Sequence, residues 1–295
     1  MKQLSVNVRP LIKKVQIILE RLAEARISSR YRIIFKGKGL EFEDFRTYNE
    51  NDDADRIDWK ASARANKLLI KEYIEERDLD INILLDVSSS MIFGSTEKLK
   101  NEYAAEFVAT LSHLIIQTGD KAGLFMFSDN IRVKVPPANT ENQFYMILKS
   151  LTNAENYGGK CNLNAAVKEL MSTSKRRGVL IIVSDFIGLE SNWDESLKIG
   201  SEKFDVIGVM IQDPRDFSLP KNIGKVLVSD PFSNKELLVD PDLIADEYED
   251  YMNTQKKVVI HSFNSSNADF LYLPTNKSFI IPLLRLLERR EQELA

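Results

Sequence analysis

Apolar positions along the chain fall into two rhythms, helical stripes and short unbroken runs. Leu11, Val15, Ile18 and Leu22 recur at helical spacing after Arg9, with Pro10 near the start, where a missing N–H costs little. This predicts an N-terminal amphipathic helix. Residues 27–78 show no clean period, and in LLIKEYIEERD strand and helix both stay open, so this stretch reads as an irregular accessory region. From Asp80 the texture changes. Ile81, Ile83, Leu84 and Leu85 form an apolar run ending in Asp86, which suits a strand buried on both faces. Leu99, Tyr103, Phe107, Leu111, Leu114 and Ile115 then line one face of a helix between Glu97 and Thr118, with His113 pointing away toward the surface. AGLFMFS and IRVKV, parted by Asp129 and Asn130, predict a closely spaced strand pair. Helical patterns follow at Gln143–Leu151 and Leu163–Met171. VLIIVSD and FDVIGVMIQD are further apolar strands, each ending in an aspartate, Asp185 and Asp213. Smaller strands are expected at Lys225–Val228 and Glu236–Val239, and helices at Leu243–Met252 and Ser278–Glu293. Apolar strands alternating with amphipathic helices argue for an α/β fold, a mostly parallel sheet with helices on both faces. The boundary falls near residue 79, with an accessory segment over 1–78 and the sheet domain over 79–295.

Composition narrows the function classes. With 43% hydrophobic and 28% charged residues in 295, the chain lies among folded globular proteins. The longest stretch without formal charge, Phe107–Gly119, has 13 residues, short of the roughly 20 apolar ones of a spanning helix. Charges interrupt each apolar run at the N-terminus, so no secretory signal is expected and the protein is placed in the cytoplasm. A single cysteine, Cys161, with only His113 and His261 beside it, excludes an internal disulfide and a structural zinc cluster. Residues 1–40 carry ten basic and two acidic residues, whereas 41–55 carry one basic and seven acidic. Such a dipolar block either forms a contact surface or compensates itself within the fold.

In an open parallel sheet, ligands bind outside the carboxyl ends of the strands, so strand-end polar residues are the ones to weigh. Asp86-Val87-Ser88-Ser89-Ser90 can turn one carboxylate and two hydroxyls toward a point. Gly158-Gly159-Lys160-Cys161-Asn162 and Ser184-Asp185 are the other two segments. Together they outline a site of hard oxygen ligands suited to Mg²⁺. Alternatively, Ser88 and Ser90 cap the following turn and Asp86 accepts backbone N–H bonds.

D-x-S-x-S after a buried strand, a later loop ligand and a further aspartate resemble the metal-ion-dependent adhesion site of von Willebrand factor A domains. The segment Gly37–Asp78, GKGLEFEDFRTYNENDDADRIDWKASARANKLLIKEYIEERD, resembles the signature of the prokaryotic domain-of-unknown-function family fifty-eight. GDKAGLFMFSD, VLIIVSDF and FDVIGVMIQDPRD extend the resemblance over roughly residues 28–290. It implies a von Willebrand A-like, Rossmann-like fold, with Asp86, Ser88 and Ser90 as first-loop metal ligands and Asp185 as the later acidic one. Where the family has Thr, then Asp or Asn, then an aliphatic residue, this chain has Cys161, Asn162 and Leu163. A neutral thiol is a weak ligand for Mg²⁺ and a thiolate favours softer metals, while Asn162 offers an amide oxygen instead. Mg²⁺ or Mn²⁺ is the cofactor the resemblance implies. A MoxR-type AAA+ ATPase and client proteins are the implied partners, which makes the chain a non-enzymatic adaptor or co-chaperone.

Catalytic readings fare worse. Haloacid-dehalogenase chemistry needs a second aspartate where Ser88 stands, and a P-loop needs Gly at Ala154 and Ser or Thr at Cys161. Neither histidine lies in a triad motif. A Mg²⁺-dependent phosphoester enzyme lacks a general base, and a metal-free scaffold is the remaining alternative. Gly37-Lys38-Gly39 reads as a turn. Arg26, Arg30, Arg32, Lys36 and Lys38, with only Tyr31 and Phe35 between them, suit a protein partner better than nucleic acid. Trp59 is expected to anchor the accessory region.

Overall fold

Period-two alternation divides the strand side chains between two apolar layers, one on each face of a central sheet. The computed structural model describes residues 41–49, 52, 57–65, 67–74, 79–174, 176–233 and 235–293. The helix expected after Arg9, the basic residues of 1–40 and the Gly37-Lys38-Gly39 turn lie outside the described residues.

The sheet contains β3 (Asp80–Asp86), β4 (Lys121–Phe127), β5 (Ile131–Ala138), β6 (Gly178–Ser184), β7 (Phe204–Gln212) and β10 (Asp269–Pro274), in the order β10-β7-β6-β3-β4-β5. β5 is an antiparallel edge strand and the remaining pairings are parallel. Ile81, Ile83 and Leu85 of β3, with Val179, Ile181 and Val183 of β6, face one layer. There they meet α2 (Lys100–Gln117), α3 (Glu141–Thr152) and α7 (Ile280–Glu293) through residues such as Phe107, Ile147 and Leu283. Leu84, Leu180 and Ile182 face the other layer, under α4 (Leu163–Thr173), α5 (Trp193–Lys203) and α6 (Pro241–Ser265). Helices therefore cover both faces, as the run-and-stripe pattern predicts. Gly208 in β7 leaves room for the Phe263 ring of α6, since a Cβ there would lie 2.5 Å from the ring. Chain order reverses between β3 and β6, so the loops at their carboxyl ends diverge and leave the crevice where such sheets hold ligands.

Several expectations need correction. β10 is a sixth strand that the pattern did not predict, and α5, between the VLIIVSD and FDVIGVMIQD strands, was not assigned. α6 runs well beyond the expected Met252. Part of the accessory region is regular: β1 (Glu41–Thr47) pairs antiparallel with β2 (Leu69–Ile74), and α1 (Trp59–Ala65) lies between them in the chain. Asp58 caps α1 by accepting the Ala61 N–H at 2.9 Å, and Ser62 ties the helix to β2 by accepting the Leu69 N–H at 2.8 Å. Trp59 does not anchor this unit. At the first position of α1 it is 69% exposed, and the buried residues nearby are Ser62, Leu69 and Ile70. His113 is half-buried, its ring edge-on to Phe144 at 4.8 Å, and loss of solvent lowers its pKa. A short antiparallel ribbon, β8 (Val226–Ser229) with β9 (Glu236–Val239), stands apart from the main sheet.

Candidate functional site

β3 delivers Asp86 to its carboxyl end, and the backbone immediately turns back on it: the Ser88 N–H donates to Asp86 Oδ1 at 2.8 Å. A short 3-10 turn, Ser89–Met91, follows. Ser88 occupies the cap position of that turn but makes no side-chain cap bond. Its hydroxyl lies 3.1 Å from Ser90 Oγ, which donates to Asp185 Oδ1 at 3.1 Å. The turn-capping alternative for the serines is therefore not what the geometry shows, whereas the backbone bond to Asp86 is present.

Two further loops close on this point. Ser89 N–H donates to Gly159 O at 2.9 Å, and Gly159 N–H returns to Ser89 Oγ at 3.0 Å, so the first and second loops are stitched reciprocally. Gly159 has φ +94, a conformation that residues with a Cβ rarely adopt, which accounts for glycine there. This loop brings Cys161 Sγ to 3.5 Å from Asp86 Oδ2. Burial, then the Asp86 and Asp185 charges, push the thiol far above its ordinary pKa, so Cys161 stays a neutral donor. Asn162 serves the helix instead: its Oδ1 accepts the Ala165 N–H at 2.8 Å as the N-cap of α4. Asn162→Ala is accordingly expected to lower stability by about 1 kcal/mol, while leaving unchanged any thermal shift produced by Mn²⁺. Melting curves with and without Mn²⁺ check both halves of that expectation.

From β6, Ser184 Oγ donates to Asp86 Oδ2 at 2.6 Å and accepts the Phe186 N–H at 2.9 Å. Phe186 is held at φ +56, a left-handed conformation uncommon for a bulky residue. Its ring is fixed edge-on to Phe263 at 5.4 Å. Asp185 also accepts the Ile187 N–H at 3.0 Å. Asp86, Ser88, Ser90 and Asp185 are all buried.

Lys100, which sequence reasoning did not single out, enters this cluster from the first turn of α2. Its ammonium lies 2.7 Å from Asp185 Oδ2 and 3.1 and 3.0 Å from the two oxygens of Asp216, and the residue is 1% exposed. Asp216 sits in the turn after β7, where it accepts the Asp213 N–H at 2.9 Å. Burial lowers the Lys100 pKa, but the attractions of Asp185 and Asp216 outweigh it and the net shift is upward. A signal was present. Lys100 precedes Tyr103, Phe107 and Leu111 at helical spacing, so it occupies a core-facing position where a lysine needs a buried partner.

Two carboxylates, Asp185 and Asp216, thus face one ammonium, and Asp86 lies close enough to Asp185 to feel its charge. Burial, and then the Asp185 charge, push the Asp86 carboxyl up to about 6, against the pull of the Ser184 and Ser88 hydrogen bonds. Among the described residues no group of three or more His, Cys, Asp or Glu is placed to hold a metal ion. Any cation here would rest on Asp86 with the Ser88 and Ser90 hydroxyls and water. Mg²⁺ accepts few carboxylates and keeps several waters, with oxygens at about 2.0–2.1 Å and hence neighbouring oxygens about 3 Å apart. The 3.1 Å between the serine hydroxyls matches that spacing.

Comparisons relate the chain as a whole to known proteins. Uncharacterized protein Mb1516 of Mycobacterium bovis is 26% identical over 263 residues, 88% of this chain and 82% of that protein. Uncharacterized protein MAV169 of Mycobacterium avium is 26% identical over 54% of this chain and 95% of its own length. Among solved structures, the conserved hypothetical protein BatB from Bacteroides thetaiotaomicron matches with TM-score 0.48 and 14% identity, over 73% of this chain and 98% of that one. An aerotolerance-related membrane protein from Bacteroides fragilis, solved with multiple mutations to serines, gives TM-score 0.46 and 14% identity, over 73% and 99% of the two chains. Among the described residues no helix is long and apolar enough to cross a membrane. The family model described as "Protein of unknown function DUF58" matches residues 44–258, and the chain belongs to that family.

Proposed function

We propose that this chain is a non-enzymatic protein–protein interaction module whose strand-end cluster takes up Mg²⁺ or Mn²⁺ through Asp86, Ser88 and Ser90. The observation that carries this reading is the pairing of hard oxygen donors at cis-ligand spacing with an excess of buried negative charge at the β3–β6 crevice. When bound, the ion supplies a Lewis-acidic position that a partner's Asp or Glu can fill. Asp86 and the serines hold it, Ser184 orients Asp86, and Asp185 orients Ser90. Because these groups are buried, engagement requires the Val87–Ser90 and Gly158–Cys161 loops to part, which links partner affinity to ion affinity. The resemblance to family fifty-eight extends the reading to an adaptor or co-chaperone for a MoxR-type AAA+ ATPase acting in protein assembly or maturation.

The test is a thermal unfolding series of wild type and Asp86→Ala with EDTA, Mg²⁺ or Mn²⁺, followed by binding of a purified MoxR-type ATPase under the same conditions. An ion at 100 times its Kd adds about 2.7 kcal/mol, so wild type rises by several degrees and Asp86→Ala does not. ATPase binding that needs the ion and Asp86 supports the adaptor reading. Binding indifferent to EDTA, or a wild type that ignores both ions, removes it.

A further inference from the structure

We propose that Lys100 is the charge-matching residue of the cation site: its tethered ammonium sets the charge that an incoming ion must neutralise, and so selects a divalent ion. This rests on the reading of the strand-end cluster as a cation site and goes beyond it, since Lys100 belongs to no ligand set that the resemblance implies.

The hydrogen-bonded cluster is a defined charge group, and Glu190, whose charge also reaches Cys161, makes no hydrogen bond to it. Asp86, Asp185 and Asp216 contribute three negative charges, and Lys100 is the one cation among the described residues that touches two of them, at 2.7 Å from Asp185 and 3.0 Å from Asp216. The neighbouring cation Lys98 is occupied elsewhere, 2.5 Å from Glu106. Asp213, the next acid along the sheet, takes neutral donors from the Ser95 N–H at 2.7 Å, the Arg215 N–H at 2.9 Å and Thr275 at 3.3 Å, so it draws nothing from Lys100. Three carboxylates and one ammonium leave a charge of −2, which one divalent ion cancels. A site with little water around it discriminates strongly against a residual charge.

Lys100 also divides labour between the two strand-end acids. Asp185 Oδ2 is taken by the ammonium, and Oδ1 by Ser90 and the Ile187 N–H. Asp185 is thereby held as a positioning residue for Ser90, whereas Asp86 accepts only from the neutral donors Ser88, Ser184 and Cys161 and is the carboxylate with no ammonium against it. The same contact holds the serine loop in place, because the ammonium fixes Asp185 and Asp185 fixes Ser90.

Charge can be varied with little change of shape. Lys100→Met takes the cluster to −3, Asp216→Asn takes it to −1, and the double variant returns it to −2 with different groups. Chelator-stripped full-length protein is titrated calorimetrically with Mn²⁺ and separately with Tb³⁺, and the ratio of the two dissociation constants is compared between variants, so that the size difference between the ions cancels. A unit charge at this range changes the divalent–trivalent balance by at least about tenfold. The ratio is expected to move by that factor toward Tb³⁺ in Lys100→Met, by a similar factor toward Mn²⁺ in Asp216→Asn, and to return near wild type in the double variant. Should Lys100→Met not fold, Asp216→Asn and the double variant still decide the matter. Asp86-dependent Mn²⁺ binding with the same ratio in all variants overturns the role of Lys100 and leaves the cation site standing. Absence of Mn²⁺ binding, or binding unaffected by Asp86→Ala, overturns the site reading itself.

Discussion

Lys100→Met is expected to lower the stability of the ion-free protein by about 3–5 kcal/mol, because it leaves the buried Asp185 and Asp216 carboxylates facing each other without a counter-charge. The methionine fills most of the lysine's volume, so the loss reports charge and hydrogen bonding. In a protein of this size each kcal/mol moves the midpoint by roughly 2–4 °C, so melting should fall on the order of 10 °C. Asp216→Asn in the same background should recover part of the loss, since one of the two stranded charges goes, and the double-mutant cycle gives the coupling directly. The pH dependence has a definite sign. The folded pKa of Lys100 is raised above 10.5, so its contribution is fully present below 10.5 and is lost as pH rises through the higher folded value. Urea unfolding at pH 7 and again above pH 10.5 tests both claims. A loss under about 1 kcal/mol at pH 7 would mean that the cost of burying the ammonium cancels its attractions.

What the sequence disclosed, and what it hid, follows from how each residue is used. β3, β4, β6 and β7 are buried on both faces, and continuous apolar runs such as INILL and VLIIV announce that directly. β10 was missed because DFLYLP is a short edge strand, buried only at alternate positions and closed by Pro274. α5 was missed because its stripe consists of Trp193, Ser196, Leu197 and Gly200, only two of which look apolar. At the site, Asp86, Ser88, Ser90 and Asp185 converge because each stands within a few residues of a strand end, which position along the chain reveals, while Cys161 arrives on the loop that leads into α4. Lys100 and Asp216 are joined across 116 residues by the packing of α2 against the sheet, and no local pattern encodes their meeting. Asn162 reads from sequence as an amide-oxygen ligand, but α4 begins so that its side chain caps the helix instead. Trp59 misled because a bulky aromatic is usually buried, while here the accessory unit packs through Ser62, Leu69 and Ile70.

Asp86→Asn is expected to do the opposite of the lysine change and stabilise the ion-free protein at neutral pH. Asp86 ionises near pH 6 when folded and near 3.8 when unfolded. Between those values the folded state holds the proton more tightly, so stability falls as pH rises from about 4 to about 6 and is level above that. The full shift corresponds to about 3 kcal/mol. The gain from Asn should be smaller, about 2 kcal/mol, because a single amide oxygen cannot accept both the Ser88 N–H and the Ser184 hydroxyl as the carboxylate does. Its stability should also lose the decline between pH 4 and 6. Divalent ion should then reverse the order: wild type at 100 times its Kd gains about 2.7 kcal/mol, while the amide, lacking the charge, gains nothing. Melting curves of both proteins from pH 4 to 8 in EDTA, repeated with Mn²⁺ at neutral pH, give four comparisons. If Asp86→Asn is no more stable than wild type in EDTA at pH 7.5, the carboxylate is already compensated by Ser184, Ser88 and Cys161. The excess negative charge on which the cation site depends would then not exist. If instead the order of the two proteins reverses with Mn²⁺, the same buried charge that destabilises the empty fold is the one that holds the ion.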